Sequence, residues 1–361
     1  MFIDKLIILL MSLLLADFIQ VISIFSDFGV LYLVYAFLLF IFLSFLKVIK
    51  KVYVESSLLL LFALLLGLAV NVSLDSNLGL AKSLAIIASV FLFLFNIRLF
   101  LDEIKIQSFI NFLVLIALLK LVFFLIFVDV SVLELVKNPS ETRFSYSTYF
   151  NPIYLARSCG LGVLAALFLN KNAGMKALVI SFLLLGMYIS GSRGPVLALL
   201  IVVFLYVLQR DDLSTMFKYL MQFFLAIIVF FALDSNLILR NNDGVESAFE
   251  DRFLLIIQAY ELFTNNMLIG AGLGSFSNVS YLGHPHNIIL ELLSETGIVG
   301  LLIFMALVIK GLKKMEINFF GLALMYVLIN AMFSGSIVNN IGVIWFSVLC
   351  YRYKKQRALF A

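Results

Sequence analysis

Residues 108–128 read SFINFLVLIALLKLVFFLIFV, and this stretch decides the class of the protein. It carries one charged residue, Lys120, in a run long enough to cross a bilayer as a helix, which takes about 20 residues. Similar runs recur along the whole chain, which is 64% hydrophobic and only 13% charged. A soluble domain is about half apolar and about a quarter charged, so most of this surface must face lipid.

The apolar runs are continuous rather than alternating, which favours helices over the strands of a barrel. We therefore expect an all-α integral membrane protein, a single polytopic domain over residues 1–361 with about twelve transmembrane helices. The predicted spans are 6–25, 28–46, 57–73, 80–97, 108–128, 152–169, 177–190, 195–209, 219–234, 286–309, 317–333 and 337–351.

The distribution of Lys and Arg predicts the orientation. When the N-terminus is placed in the cytoplasm, most of the 25 basic residues fall in cytoplasmic segments. This orientation agrees with the general excess of Lys and Arg in cytoplasmic loops. Both termini are therefore expected in the cytoplasm. The basic residues that remain, several of them in or beside outward-facing segments, are Lys82, Lys120, Lys137, Arg143, Arg157, Arg193, Arg240 and Arg252. Because arginine suits bidentate recognition of phosphate, they indicate an anionic ligand on the outer face.

Two outward segments are long enough to be functional, the external loops 129–151 and 235–285. In the second loop, Ser247 and Glu250 have the spacing of a capping box, and apolar residues at helical spacing follow. We expect an amphipathic helix over 248–263 that lies along the membrane surface or over the helix bundle. A lid without chemistry is the alternative. The glycines Gly270, Gly272 and Gly274 after it predict a flexible turn that returns the chain to the membrane.

The two histidines of the chain, His284 and His286, flank Pro285 just before a predicted span. Pro285 suits the first position of a helix, which would place His286 in the first turn. The field of a helix N-terminus favours a bound anion and a neutral imidazole. A neutral imidazole beside an anion is what a general base for a hydroxyl nucleophile requires. The alternatives are a structural histidine pair and a metal site, and two histidines supply too few ligands for zinc.

Carboxylates also occur within that predicted span. Glu291 and Glu295 share one face by their spacing, and carboxylates at membrane depth are costly unless they are paired or functional. We expect Glu291 to pack against an arginine, with a direct role in catalysis as the alternative. Lys120 and Asp17 are further charges in predicted spans, and we expect either a structural bridge between them or a substrate contact.

Four stretches resemble the O-antigen polymerase and O-antigen ligase superfamily, over roughly residues 143 to 302. The most specific is His286-Asn287-x-x-Leu290-x-x-Leu293-x-Glu295-x-Gly297-x-x-Gly300. The turn Ser190-Gly191-Ser192-Arg193-Gly194 is similar to the family's S-R-G element, and Arg252 with Gly270-Ala271-Gly272-Leu273-Gly274-Ser275-Phe276 is similar to its arginine and glycine run. Arg143, Asn151-Pro152 and Ala156 resemble an earlier family stretch, in which Ile153 replaces a frequent Asn.

The resemblance implies a metal-independent, inverting glycosyltransferase in the bacterial inner membrane, with its active site on the extracytoplasmic side. The donor would be a glycan on undecaprenyl diphosphate. Arg193 and Arg252 would bind the diphosphate leaving group and His286 would deprotonate the acceptor hydroxyl. Further substrate contacts are expected from Arg143, Arg157, His284, Asn287 and Glu291.

The motifs do not separate a polymerase, which extends lipid-linked repeat units, from a ligase, which transfers the glycan to lipid A–core. We favour the polymerase. A transporter or flippase is the alternative outside enzymes, but the paired halves with interrupted helices that it predicts are not evident. The expected partners are the lipid-linked glycan, membrane lipid and a chain-length regulator protein, without a nucleic acid or a cofactor.

Overall fold

A computed structural model describes residues 2–16, 82, 85–86, 89–90, 93, 96–127, 151–208, 242–280 and 283–360. Every regular element within these ranges is helical. In chain order they are α1 (Phe2–Leu15), a 3-10 turn (Ile97–Leu101), α2 (Glu103–Phe127), α3 (Pro152–Leu167), α4 (Ala173–Ile189), α5 (Arg193–Leu208), α6 (Asn242–Asn265), a second 3-10 turn (Ser275–Asn278), α7 (Ile288–Lys313), α8 (Phe319–Ala331) and α9 (Ile341–Phe360).

The predicted all-α class is confirmed for the described part of the chain. Two of its helices, α2 and α7, are long and apolar enough to cross a membrane, and α3, α4, α5 and α8 are shorter apolar helices. The predicted spans 28–46, 57–73 and 219–234 and residues 129–150 of the predicted external loop lie outside the described residues. The number of spans and the orientation of the termini therefore remain predictions.

Local sequence explains where several helices begin. The Asn151 side chain accepts a hydrogen bond from the N–H of Ile153, and Pro152, which has no N–H to satisfy, takes the first helical position of α3. The side chain of Asn172 caps α4 by accepting from Met175 N–H at 2.9 Å. These caps satisfy backbone donors that the first helical turn leaves free.

The described chain divides into two compact units. The first comprises Met1–Gly29, Ile104–Val245 and Ile317–Tyr326. In it α3 packs against α4 and α5, and small residues allow the close approach: a Cβ added at Gly162 would meet Ala117 and Leu183. Small residues at helix interfaces are what membrane helices use to pack.

The first unit also contains a fully buried lysine, Lys120. Its Nζ donates to the carbonyl oxygens of Ala16 and Tyr154 at 3.0 and 3.2 Å and to Ser158 Oγ at 2.9 Å. These acceptors join α2, α3 and the end of α1. The expected partner Asp17 lies outside the described residues, so the bridge to it remains a prediction.

The second unit comprises Val30–Glu103, Glu246–Glu316 and Val327–Ala361. Its α7 packs against α9 so closely that a Cβ at Gly311 would meet the backbone of Ser347. Trp345 of α9 stacks on Phe93, with ring centroids 5.2 Å apart.

The second unit also includes α6 from Glu246 onward. This helix is longer than the predicted helix over 248–263. It begins at Asn242, so Ser247 lies within it and does not cap it. The side that α6 buries carries Leu255 and Ala259, which pack with Phe276. The apolar residues that follow Glu250 at helical spacing include Phe253, Ile256, Ile257 and Tyr260, and these four form an exposed stripe, between 37 and 63% exposed.

A break interrupts α7 at Gly297, whose φ of 67° and ψ of −168° are not helical. The freed N–H groups of Ile298 and Val299 donate to the carbonyls of Met267 and Leu268 at 2.9 and 3.2 Å. On the other side of the break, the carbonyls of Ser294 and Glu295 accept from Ala271 and Gly272 at 2.9 and 3.1 Å. The segment 267–272 therefore supplies the hydrogen bonds that α7 loses at the break. It is a fixed part of the fold and not the flexible turn that the glycines suggested.

We expect Gly297→Ala to destabilise the protein by about 1–3 kcal/mol, because alanine is strained at positive φ and its Cβ would also meet the Leu268 carbonyl. Gly174→Ala is the matched control, since nothing lies within 4 Å of the position of its Cβ. Thermal unfolding of both variants in detergent measures the effect. Equal midpoints for the two variants would contradict the assigned break.

Candidate active site

The start of α7 is set by Asn287. Its Oδ1 accepts from the N–H groups of Ile289 and Leu290 at 2.9 and 3.2 Å, which makes it the N-cap. Its Nδ2 donates to the Met332 carbonyl at 3.1 Å, just after α8. The prediction that Pro285 occupies the first helical position and His286 the first turn is therefore wrong. An asparagine side chain that satisfies two backbone donors starts the helix at Ile288, three residues later than the predicted start at Pro285.

His286 lies immediately before the cap in an unusual backbone conformation. Its φ is 54°, the only positive φ of a non-glycine residue in the described part of the chain. Such a conformation costs free energy and is maintained only where the surroundings impose it. The rings of His284 and His286 meet edge to face with centroids 4.3 Å apart. The backbone therefore holds both imidazoles together at the start of α7.

Both histidines are held in the neutral form. Burial, the neighbouring His284 and the positive charge of Arg252 lower the pKa of His286 to about 4. Burial and the charge of Lys82 lower the pKa of His284 to about 4. A neutral His286 was predicted, but burial and not the helix field is its main cause. The Nε2 atom of His284 is buried and has no hydrogen-bond partner among the described residues.

The histidine pKa values predict a pH dependence that NMR can resolve, because the chain has only two histidines. We expect both imidazoles to titrate near pH 4 in the folded protein, against about 6.5 when unfolded. Between these two pH values the unfolded chain binds more protons than the folded protein. The contribution of the histidines to the free energy of unfolding is therefore complete above pH 6.5 and is lost as the pH drops toward 4. Midpoints between pH 6 and 7 in the folded protein would contradict the buried pair.

The variant Arg252→Gln provides an internal control for this titration. It removes a positive charge that lowers the pKa of His286, so the midpoint of His286 should rise. The midpoint of His284 should move less, because burial and Lys82 are what lower it.

A buried charge cluster lies one turn into α7. Lys82 Nζ lies 2.9 Å from Glu291 Oε1 and 2.9 and 3.1 Å from the two carboxylate oxygens of Glu295. The lysine side chain is 10% exposed and each carboxylate 1%. The expectation that Glu291 packs against an arginine is therefore wrong, because the cation is Lys82.

The second oxygen of Glu291 accepts from the backbone N–H of Ile337 at 2.7 Å. Ile337 belongs to the segment between α8 and α9, in which Asn340 Nδ2 donates to the carbonyls of Ser334 and Ser336 at 3.1 and 2.9 Å. Glu291 and Asn287 thus both attach the start of α7 to this segment. We call Lys82, Glu291 and Glu295 the Lys82 cluster, and it fixes the helix turn that follows His286.

The predicted arginines lie in different parts of the chain. Arg252 is exposed on α6 in the second unit, and its charge acts on His286. Arg193 is exposed at the first residue of α5 in the first unit. Arg157 is buried in α3, with its guanidinium 5.5 Å from the centroid of the Tyr154 ring. Arg143 lies outside the described residues. Within the described residues, no three His, Cys, Asp or Glu side chains form a group that could hold a metal ion.

Sequence comparison agrees with the motifs. Residues 177–305 match the family model described as O-Antigen ligase. The match includes Arg193, Arg252, both histidines and the two glutamates of the Lys82 cluster, whereas the earlier Arg143 to Ala156 stretch falls outside it. No curated protein matches the chain. The family consists of membrane-embedded bacterial enzymes that act as glycosyltransferases on lipid-linked glycans. Over residues 177–305, about a third of the chain, the protein is therefore similar to the O-antigen ligase family, as the motifs predicted.

Proposed function

We propose that the protein polymerises glycan repeat units linked to undecaprenyl diphosphate, at the extracytoplasmic face of the bacterial inner membrane. The observation that carries the proposal is the pair His286 and Arg252: a neutral imidazole held at the start of a membrane-length helix, within the field of an exposed guanidinium. A neutral imidazole can take the proton of an attacking hydroxyl, and a guanidinium can bind the diphosphate that leaves. The pair therefore suits a reaction in which a hydroxyl displaces a diphosphate.

In the proposed reaction, His286 accepts the proton of the acceptor sugar hydroxyl as that oxygen bonds to the anomeric carbon of the donor. The bond from the anomeric carbon to the diphosphate breaks in the same step, and the configuration inverts. Arg252 stabilises the charge that develops on the leaving diphosphate. A bound diphosphate would also offset the charge of Arg252 at His286, which makes the imidazole more basic when the donor is present.

The remaining roles follow from the family resemblance and from burial. Arg193 is proposed as a second ligand of the diphosphate, and Arg143 and Arg157 as further substrate contacts. His284 is proposed to bind a sugar hydroxyl through its buried Nε2. Asn287 and Glu291 have hydrogen-bond partners within the protein, so we propose that they position His286 and do not bind substrate.

Replacing Arg252 with alanine should lower the transfer rate about a hundredfold or more, because one donor to developing charge is worth about 3 kcal/mol. Arg252→Lys keeps the charge but not the bidentate geometry, and should retain an intermediate rate. Arg193→Ala should have an effect of similar size. The initial rate of glycan transfer in liposomes measures the loss, and an unchanged rate for both alanine variants would contradict a diphosphate site.

Polymerase and ligase are separated by the acceptor. The purified protein in liposomes, given one lipid-linked repeat unit as its sole sugar substrate, should give a ladder of lengthening lipid-linked chains on a gel. A single unchanged band, with transfer only after lipid A–core is added, would identify a ligase. No transfer with either acceptor would favour a transporter and would contradict the proposal.

A further inference from the structure

The segment that fills the break in α7 exposes a continuous apolar surface. Met267, Leu268 and Ile269 are 51, 70 and 55% exposed. The hydrogen bonds from Ile298 and Val299 to the carbonyls of Met267 and Leu268 place them beside α7. On α7 the exposed residues nearest to this point are also apolar: Ile298, Val299 and Leu302 are 38, 36 and 62% exposed.

The position of this surface along α7 places it inside the membrane. The basic residues Lys310 and Lys313 lie in the last turn of α7 and mark one edge of the hydrocarbon. Val299 lies eleven residues before Lys310, a rise of about 17 Å along a helix. The hydrocarbon is about 30 Å thick, so Met267–Ile269 lies well within it, beyond its middle as seen from Lys310.

Non-helical backbone at this depth requires that its polar groups be satisfied. The carbonyls of Met267 and Leu268 accept from α7, and the N–H groups of Gly270, Ala271 and Gly272 donate to Asn266, Ser294 and Glu295. Gly270 and Gly297 permit this approach, because a Cβ at either residue would meet backbone of the other segment. Two carbonyls and two N–H groups of the segment thus bond to α7, while the side chains of Met267, Leu268 and Ile269 are exposed.

We infer that Met267–Ile269 is a re-entrant loop immersed in the hydrocarbon of the membrane, and that lipid acyl chains cover its exposed side chains. We assign lipid as the cover of this surface because the loop continues the exposed apolar face of α7, a helix of membrane length, and no charged residue lies between the two. The exposed stripe of α6, Phe253 to Tyr260, precedes the loop in the chain and extends the same lipid contact toward the membrane surface.

Spin labelling in liposomes tests this directly. Leu268→Cys and Ile269→Cys introduce labelling sites at exposed positions, whereas the native Cys159 and Cys350 are buried and supply the unlabelled background. Accessibility of each nitroxide to oxygen, which concentrates in hydrocarbon, is compared with its accessibility to a water-soluble nickel chelate. Leu302→Cys is the lipid reference and Asn278→Cys, exposed before α7, is the aqueous reference.

We expect the labels at 268 and 269 to match the label at 302, with high oxygen access and low nickel access. Nickel access equal to that at 278 would place the loop in water and overturn the inference. Low access to both reagents would also overturn it, because it would mean that protein and not lipid covers the loop. Two labelling sites keep the test decisive if one variant fails to fold.

Discussion

Replacing His286 with alanine should reduce glycan transfer about a hundredfold to ten-thousandfold, which is the contribution of a positioned general base. The imidazole is neutral because burial and its neighbours lower its pKa to about 4, so it is ready to accept a proton at neutral pH. The expected result is a loss of rate with little change in donor affinity, since the imidazole acts on the acceptor hydroxyl. Initial rates against donor concentration measure both.

A second variant at His286 separates the role of the imidazole ring from the role of the backbone turn. At φ 54° glycine is unstrained, so His286→Gly keeps or improves the local fold while it removes the ring. If the imidazole acts as a base, the glycine variant is as slow as the alanine variant, and added imidazole restores part of its rate. Wild-type rates from His286→Gly would show that only the backbone turn matters. Asn278→Ala, at an exposed position before the histidines, is the control expected to keep the full rate.

Replacing Lys82 with methionine should destabilise the protein by about 3–5 kcal/mol, the usual cost of removing one partner from a buried ion pair. Glu291 and Glu295 would remain buried at 1% exposure without their cation. Because Glu291 also binds the Ile337 N–H, transfer activity should fall with stability. Unfolding in detergent measures the first effect and the initial rate measures the second.

The matched control is Lys105→Met. Lys105 pairs with Asp4 at 3.3 Å, but its side chain is 33% exposed, and exposed pairs are worth about 0–1 kcal/mol. The triple variant Lys82→Met, Glu291→Gln, Glu295→Gln removes all three charges and should recover part of the stability, because no unpaired charge remains. Equal losses for Lys82→Met and Lys105→Met would contradict a buried cluster.

The helical class and several helix positions were predictable, because a continuous apolar run of membrane length satisfies its backbone hydrogen bonds in lipid by forming a helix. The predicted spans 152–169 and 108–128 correspond to α3 at Pro152–Leu167 and α2 at Glu103–Phe127. The start of α7 was not predicted correctly, because Pro285 and Asn287 are both start signals. The side-chain hydrogen bonds of Asn287 decide between them, and they are visible only in the structure.

The Lys82 cluster could not be predicted from one sequence, although a signal for it existed. Lys82 was a basic residue in a predicted span, and Glu291 and Glu295 were carboxylates on one face of another. Buried charges of opposite sign need partners, but which helices are neighbours depends on tertiary packing. The same limit applies to α6: the sequence predicts an amphipathic helix, but only the structure shows that Leu255 and Ala259 are its buried residues.

The most direct test of the account is to measure glycan transfer and undecaprenyl diphosphate release together, in wild-type protein and His286→Ala, with a lipid-linked repeat unit in liposomes. We expect the wild type to release one undecaprenyl diphosphate for each glycosidic bond formed, and His286→Ala to be far slower in both transfer and release. No release by the wild type, or equal release by both proteins, would contradict the assignment of a glycosyltransferase centred on His286.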